Sequence, residues 1–113
     1  HMLPILCKTD GSIEEIGEEE AGIPLGIMDD YEYEQSNITL EPGASLTLYT
    51  DGINEAFNEQ DEQYGEERLL ELVTGSPVDS VERGEMIMAD VEKFLGAAIQ
   101  NDDMCLVTFS RSR

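Results

Sequence analysis

Histidine is almost absent from this chain, which has 113 residues and a single histidine, His1. Acid–base catalysis by histidine and the serine–histidine mechanism are therefore excluded for the chain alone. The two cysteines, Cys7 and Cys105, lack the spacing of metal ligands. Lys8 is the only basic residue close to either cysteine in the sequence, so we do not expect a nucleophilic cysteine. We expect both to be reduced thiols, buried in apolar strand-like runs of a cytoplasmic protein.

Basic side chains are also scarce: six Lys and Arg stand against 26 Asp and Glu, and the formal net charge is −20. Because phosphate contacts require Lys and Arg, we expect neither nucleic acid nor an anionic membrane surface as a partner. No apolar run approaches the roughly 20 residues that span a bilayer, and the first residues do not resemble a signal peptide. Most carboxylates are expected on a solvated surface. The alternative for a few of them is a cluster around a hard divalent cation.

The spacing of apolar and turn-forming residues predicts one α+β domain over residues 1–113, with strands first and two helices before a final strand. The Asp-Gly pair at residues 10–11 predicts a hairpin between two short strands. The predicted strands cover residues 3–7, 13–16, 31–40, 45–50 and 104–109, and residues 22–27 are predicted to be irregular. The predicted helices cover residues 65–74 and a longer segment that begins with Ser76 as N-cap and Pro77 in its first turn.

The longer helix is predicted to bury one apolar face over about five turns. That face carries apolar residues at helical spacing: Val81, Ile87, Met88, Val91, Phe94, Leu95 and Ala98. Its methionines are better explained as core filler than as a partner-binding stripe.

Two groups of aspartates occupy positions where a binding site can form. Asp51 directly follows a predicted strand, and Asp102 with Asp103 directly precedes the last one. If these strands are neighbours, the carboxylates meet at one sheet edge, where they repel unless a cation lies between them. Spacing alone leaves the alternative open that they are ordinary turn aspartates.

Four motifs resemble one protein family. Residues 46–56 with Asn58, followed by residues 62–69, resemble the SpoIIE-type branch of the bacterial PPM serine/threonine phosphatases. Three further segments are similar in order and spacing: Gly-Ile-Pro-Leu-Gly at residues 22–26, Asp-Asp-Met at residues 102–104, and the hairpin at residues 1–11. The resemblance covers essentially the whole chain.

The resemblance implies an α-β-β-α sandwich of two antiparallel sheets flanked by helices. This chain would be its C-terminal half, an antiparallel sheet with helices packed on one face. Two Mn²⁺ or Mg²⁺ ions lie at one end of such a sandwich and activate water for attack on phosphorus, so no side-chain nucleophile is needed. The resemblance implies that Asp51 and Asp102 are metal ligands. Asp103 would be a further ligand, a support for one, or a cap of the turn, and Gly52 would be structural.

The chain departs from the family pattern at three positions and in its extent. Asn54 and Cys105 stand where the family has threonine, and Asp61 replaces a usual glycine, which aspartate can do in a left-handed turn. The N-terminal half of the family's domain, with its Asp-Gly-His-Gly type motif, is absent from residues 1–113. We therefore expect an incomplete metal site and an inactive fragment.

The resemblance also implies a partner: a phosphorylated regulatory protein, similar to an anti-sigma-factor antagonist, in a bacterial signalling switch. The alternative is a catalytically silent half-domain that acts by binding a partner or by self-association. A half-domain exposes sheet edges and apolar surface, so a homodimer is the form expected in that case.

Overall fold

The computed structural model of the chain describes residues 2–17, 26–33, 35, 37–75, 79–100 and 102–112. Within them lie four strands and three helices: β1 (Ile5–Cys7), β2 (Ile13–Glu15), β3 (Ser45–Tyr49), α1 (Asp51–Asn54), α2 (Glu66–Thr74), α3 (Ser80–Leu95) and β4 (Leu106–Ser110). The strands form one antiparallel sheet in the order β2-β1-β3-β4. The predicted α+β class is confirmed.

The helices cover one face of the sheet. Ile5, Thr47 and Thr108 are paired across β1, β3 and β4, so their side chains lie on the same face. Ile5 and Thr47 are fully buried, because α2 and α3 pack over this face. The largest fully buried aliphatic side chains of the described residues form this core: Ile5, Ile53, Leu69, Val73, Ile87 and Val91.

The opposite face of the sheet is apolar and open, and we call it the outer face. Its side chains come from the alternate positions of β1, β3 and β4: Leu6, Leu46, Leu48, Val107 and Phe109. Val107 is 51% exposed and Phe109 46% exposed. The molecule measures 43 × 41 × 19 Å, and its short dimension accommodates one helix layer on one sheet layer, each about 10 Å thick.

The long helix begins later than predicted. Its N-cap is Asp79, whose carboxylate accepts a hydrogen bond from Glu82 N–H at 2.9 Å. The predicted N-cap Ser76 and Pro77 lie outside the described residues. Val81 is 66% exposed, so its predicted place on the buried face is wrong. Ala98, also predicted on that face, follows the end of α3.

The buried face of α3 follows an i, i+4 stripe that includes an arginine: Arg83, Ile87, Val91 and Leu95. Arg83 is only 1% exposed and donates a hydrogen bond to the Ser45 hydroxyl on β3. The Thr47 and Thr108 hydroxyls are 3.1 Å apart beneath the same helix. These small polar side chains let α3 approach the sheet closely. Sequence reasoning missed Arg83 because arginine is almost never fully buried unless it is paired.

Two other expectations from sequence need correction. The described residues between positions 31 and 40 form no strand; instead the rings of Tyr31 and Tyr33 pack edge to face, with centroids 4.7 Å apart. The last strand begins at Leu106, so Cys105 precedes it and is exposed. Residues 22–25 of the predicted irregular segment lie outside the described part. No helix in the described ranges has the length and apolar character needed to cross a membrane.

Candidate functional site

Asp51 lies where β3 ends and the short helix α1 begins. Thr50 is the N-cap of α1 in an extended conformation, and Ile53 N–H donates to the Thr50 carbonyl oxygen at 3.1 Å. Gly52 and Ile53 are buried, whereas Asp51 is exposed. Burial of Ile53, which contributes about 1.5–3 kcal/mol, therefore anchors α1 and leaves Asp51 at the solvent-exposed end of the sheet.

The turn that carries Asp102 and Asp103 is fastened to the same end of the sheet. Thr50 N–H donates to the Cys105 carbonyl oxygen at 3.1 Å, one residue beyond the β3–β4 ladder. The Thr50 hydroxyl accepts from Cys105 N–H at 3.1 Å and donates to the Asp103 carbonyl oxygen at 3.5 Å. β3 and β4 are neighbours, so the condition stated for a meeting of the two aspartate groups is fulfilled. Asp51, Asp102 and Asp103 lie at one edge of the sheet, which we call the aspartate edge.

Gly52 sets how closely α1 and this turn approach each other. A Cβ placed on Gly52 would lie 2.1 Å from the Asp103 carbonyl oxygen and 2.9 Å from its carbonyl carbon. Real Cβ contacts essentially never reach such distances, and the obstacle is backbone rather than a flexible side chain. The absence of a side chain at Gly52 is therefore what lets the two aspartate-bearing segments pack together.

The two neighbouring aspartates of the turn have different surroundings. One carboxylate oxygen of Asp102 accepts from Asp103 N–H at 2.8 Å, and the Gln100 side-chain amide donates to the Asp102 carbonyl oxygen at 2.8 Å. Capping of the turn, considered above for Asp103, is thus performed by Asp102. Asp102 and Asp103 are both exposed, so their carboxylates are accessible from solvent.

The side chains at this edge have the ligand atoms that a hard divalent cation prefers. Carboxylate oxygens from Asp51, Asp102 and Asp103 are the ligands that Mg²⁺ and Mn²⁺ prefer. In the described ranges, however, no three or more His, Cys, Asp or Glu side chains are grouped so that they could hold a metal ion. The roles of the three aspartates as metal ligands therefore stay predictions.

A compact loop continues the sequence motif after α1. The Asn58 side-chain oxygen accepts from Gln60 N–H at 3.0 Å and from Glu62 N–H at 2.8 Å. Asp61 has a φ of 59°, the left-handed conformation expected where the family has glycine. Phe57 and Gln63 form a bridge across the loop. The motif residues thus form a compact loop, held by its own hydrogen bonds, that follows α1 next to the aspartate edge.

Comparison with known proteins assigns the family. The profile of the family described as Stage II sporulation protein E (SpoIIE) matches residues 1–112. The chain belongs to the SpoIIE family. A curated relative, Protein IcfG of Synechocystis sp., is 26% identical over 91 residues, which are 80% of this chain and 14% of that protein.

Solved structures confirm the fold of this SpoIIE-family chain. The SiaA-PP2C domain of Pseudomonas aeruginosa is 24% identical to this chain, and the two superpose with a TM-score of 0.72. The match covers 96% of this chain and 43% of the SiaA chain. The phosphatase domain of SpoIIE from Bacillus subtilis, presoaked with Mn, is 19% identical with a TM-score of 0.68, covering 98% of this chain and 47% of that one. The chain thus has the fold of part of a PP2C phosphatase domain and spans less than half the length of each matched protein.

A second side-chain cluster that sequence reasoning missed joins the loop to the helices of this SpoIIE-family fold. The Tyr64 hydroxyl donates to the Asp90 carboxylate at 2.6 Å, and Arg68 Nε lies 3.4 Å from the same oxygen. The Arg68 guanidinium lies over the rings of Tyr64 and Phe94, at 5.2 and 4.8 Å from their centroids. Burial, and then the negative charge and hydrogen bond of Asp90, raise the pKa of Tyr64, which keeps it a neutral donor.

Proposed function

We propose that this chain forms one half of a metal-dependent protein serine/threonine phosphatase domain. The observation that carries the proposal is the backbone contact between Gly52 and Asp103, which brings Asp51 and Asp102 to one edge of the sheet. Membership of the SpoIIE family and the PP2C fold of its structural neighbours support a phosphatase. The Mn presoak of one neighbour supports a divalent metal of the Mn²⁺ or Mg²⁺ type.

The chain's own residues would bind and position a cation rather than attack the substrate. Asp51 and Asp102 would hold it through their carboxylates, and Asp103 would be a further ligand or a support for one. Thr50 and Gly52 would keep these segments in register through the contacts described above. A divalent cation held there would neutralise phosphate charge and activate water for attack on phosphorus. No histidine or thiol nucleophile is then required.

The chain alone would be inactive as a phosphatase. Its described part carries no group of three or more metal-ligating side chains, and it spans 43% of the SiaA domain and 47% of the SpoIIE domain. We infer that a second half supplies the remaining donors and covers the outer face. The substrate would be phosphoserine or phosphothreonine in a regulatory protein similar to an anti-sigma-factor antagonist, in the cytoplasm.

Metal-dependent phosphate release tests this function. The longest natural polypeptide that contains the chain is expected to hydrolyse an aryl phosphate with Mn²⁺ and to lose that activity on chelation, while the chain alone stays at background. The measurement is the rate of hydrolysis by each protein, followed through the phenol that is released together with phosphate. Hydrolysis that survives chelation would contradict the metal mechanism. Hydrolysis by the chain alone would contradict the proposal that a second half supplies the remaining metal ligands.

A second candidate function, self-association, is favoured by the open outer face. Leu48, Val107 and Phe109 are 36%, 51% and 46% exposed, and β4 is an edge strand of the described sheet. We expect the isolated chain to form a dimer in light scattering after size exclusion, and Val107→Lys to make it monomeric. Val81→Lys, on the exposed side of α3, is the matched control. A monomeric unsubstituted chain would contradict self-association.

A further inference from the structure

An apolar cleft adjoins the aspartate edge. It has a volume of about 330 Å³ and lies between the segment after α1, the end of α3 and the turn before β4. Its apolar lining comes from Ala56, Phe57, Leu95 and Met104. Ala56 and Leu95 belong to the buried core, so the floor of the cleft is part of that core, whereas Phe57 is 38% exposed and forms an accessible wall.

The size of the cleft suits side chains rather than a folded surface. Ligand pockets range over about 300–1,000 Å³, and this cleft lies at the small end of that range. Covering Phe57 and Met104 would remove apolar area from water at about 25 cal/mol per Å², which favours an apolar occupant. The cleft therefore fits one or two side chains of an extended segment.

The rim of the cleft is acidic. Glu55 and Asp102 lie on it, both are exposed, and its described lining contains no basic side chain. The chain as a whole carries a formal net charge of −20. An approaching segment with Lys or Arg is attracted by this field, and one with Asp or Glu is repelled. The apolar lining of the cleft thus favours an apolar side chain, and its acidic rim favours a basic residue next to it.

Asp102 connects the cleft with the candidate metal site, because it lines the cleft and is also one of the proposed metal ligands. A segment that fills the cleft places the residues next to it at the aspartate edge. We propose that the cleft is the docking site for the substrate protein next to its phosphorylated residue, and that it selects an apolar residue beside Lys or Arg. This inference rests on the proposed phosphatase function.

The test compares synthetic phosphoserine peptides that differ only beside the phosphoserine: Leu-Arg, Ala-Arg and Leu-Glu. The enzyme is the longest natural polypeptide that contains the chain, assayed with Mn²⁺. For each peptide, kcat/KM is divided by the kcat/KM that the same protein shows for an aryl phosphate. The Leu-Arg peptide is expected to exceed the other two roughly 10-fold, the lower bound for one apolar group in a pocket. Equal values for the three peptides would overturn the proposal.

Two variants locate the effect in the cleft. Phe57→Ala removes the exposed wall and is expected to cancel the preference for Leu, while Glu55→Gln is expected to weaken the preference for Arg several-fold. Val81→Ala is the control, since Val81 is exposed and about 20 Å of helix separates it from Leu95. If all three variants keep the same peptide ratios, docking in the cleft is wrong.

Failure of the phosphatase function gives a different result. If Mn²⁺ supports hydrolysis of neither peptide nor aryl phosphate, the proposed function is wrong, and fluorescence anisotropy of the labelled Leu-Arg peptide then decides the docking. Binding that Phe57→Ala and Glu55→Gln weaken, and Val81→Ala does not, supports the cleft. Absence of binding overturns it. Because Glu55 is exposed, Glu55→Gln keeps the test valid even if Phe57→Ala lowers stability.

Discussion

Replacement of Asp51 by asparagine is expected to lower Mn²⁺-dependent phosphate release at least roughly 100-fold in the longest natural polypeptide that contains the chain. Asparagine keeps the shape of the side chain and one oxygen but removes the negative charge that attracts the cation. Since Asp51 is exposed, and its neighbours Gly52 and Ile53 rather than its own side chain anchor α1, the fold should be unaffected. The measurement is the rate of aryl phosphate hydrolysis over a titration with Mn²⁺.

Asp61→Asn is the matched control for this substitution. It makes the same chemical change and the same change in net charge, and asparagine tolerates the left-handed conformation of Asp61, whose φ is 59°. The control should retain the rate and the Mn²⁺ requirement of the unsubstituted protein. If Asp51→Asn retains them as well, Asp51 is a turn residue and not a metal ligand.

Replacement of Gly52 by alanine is expected to destabilise the fold by roughly 3 kcal/mol, the upper range for inserting one methyl group into a packed site. The new Cβ would lie 2.1 Å from the Asp103 carbonyl oxygen, so α1 or the turn must shift. That shift also separates Asp51 from Asp102. In thermal unfolding, the loss corresponds to a Tm lower by roughly 10 °C for a domain of this size.

Gly75→Ala provides the comparison, because a Cβ at Gly75 meets nothing within 4 Å and its φ of −91° is open to alanine. Both substitutions restrict the unfolded chain to a similar degree, an effect of about 0.4–1 kcal/mol in favour of alanine. The difference between the two variants therefore isolates the clash at Gly52. Equal stabilities would show that the turn carrying Asp103 yields freely to a side chain.

The position of the candidate site was predictable from sequence. Asp51 follows one apolar strand-like run and Asp102 precedes another, and the end of one antiparallel strand lies beside the beginning of its neighbour. The left-handed Asp61 was predictable as well, since the family motif places glycine there. Short-range patterns suffice for such features because they depend on strand alternation and on turn conformation.

The lack of a strand among the described residues between positions 31 and 40 was not predictable in the same way. Alternation of Tyr31, Tyr33 and Ile38 is typical of a strand, yet their described neighbourhood has no strand. A strand requires a partner for its backbone hydrogen bonds, and the sheet β2-β1-β3-β4 includes none of the described residues between positions 31 and 40. The aromatic rings of Tyr31 and Tyr33 contact each other instead.

The sequence by itself determined the family, the α+β class, the acidic character and the placement of aspartates at strand ends. Only the tertiary structure decided that Arg83 is buried against Ser45 and that a cleft lies beside Asp102. The contact of Gly52 with Asp103 belongs to this second group. Such contacts join residues far apart in the chain, 55 positions for Thr50 and Cys105. Packing between elements sets them, and local propensity carries no information about it.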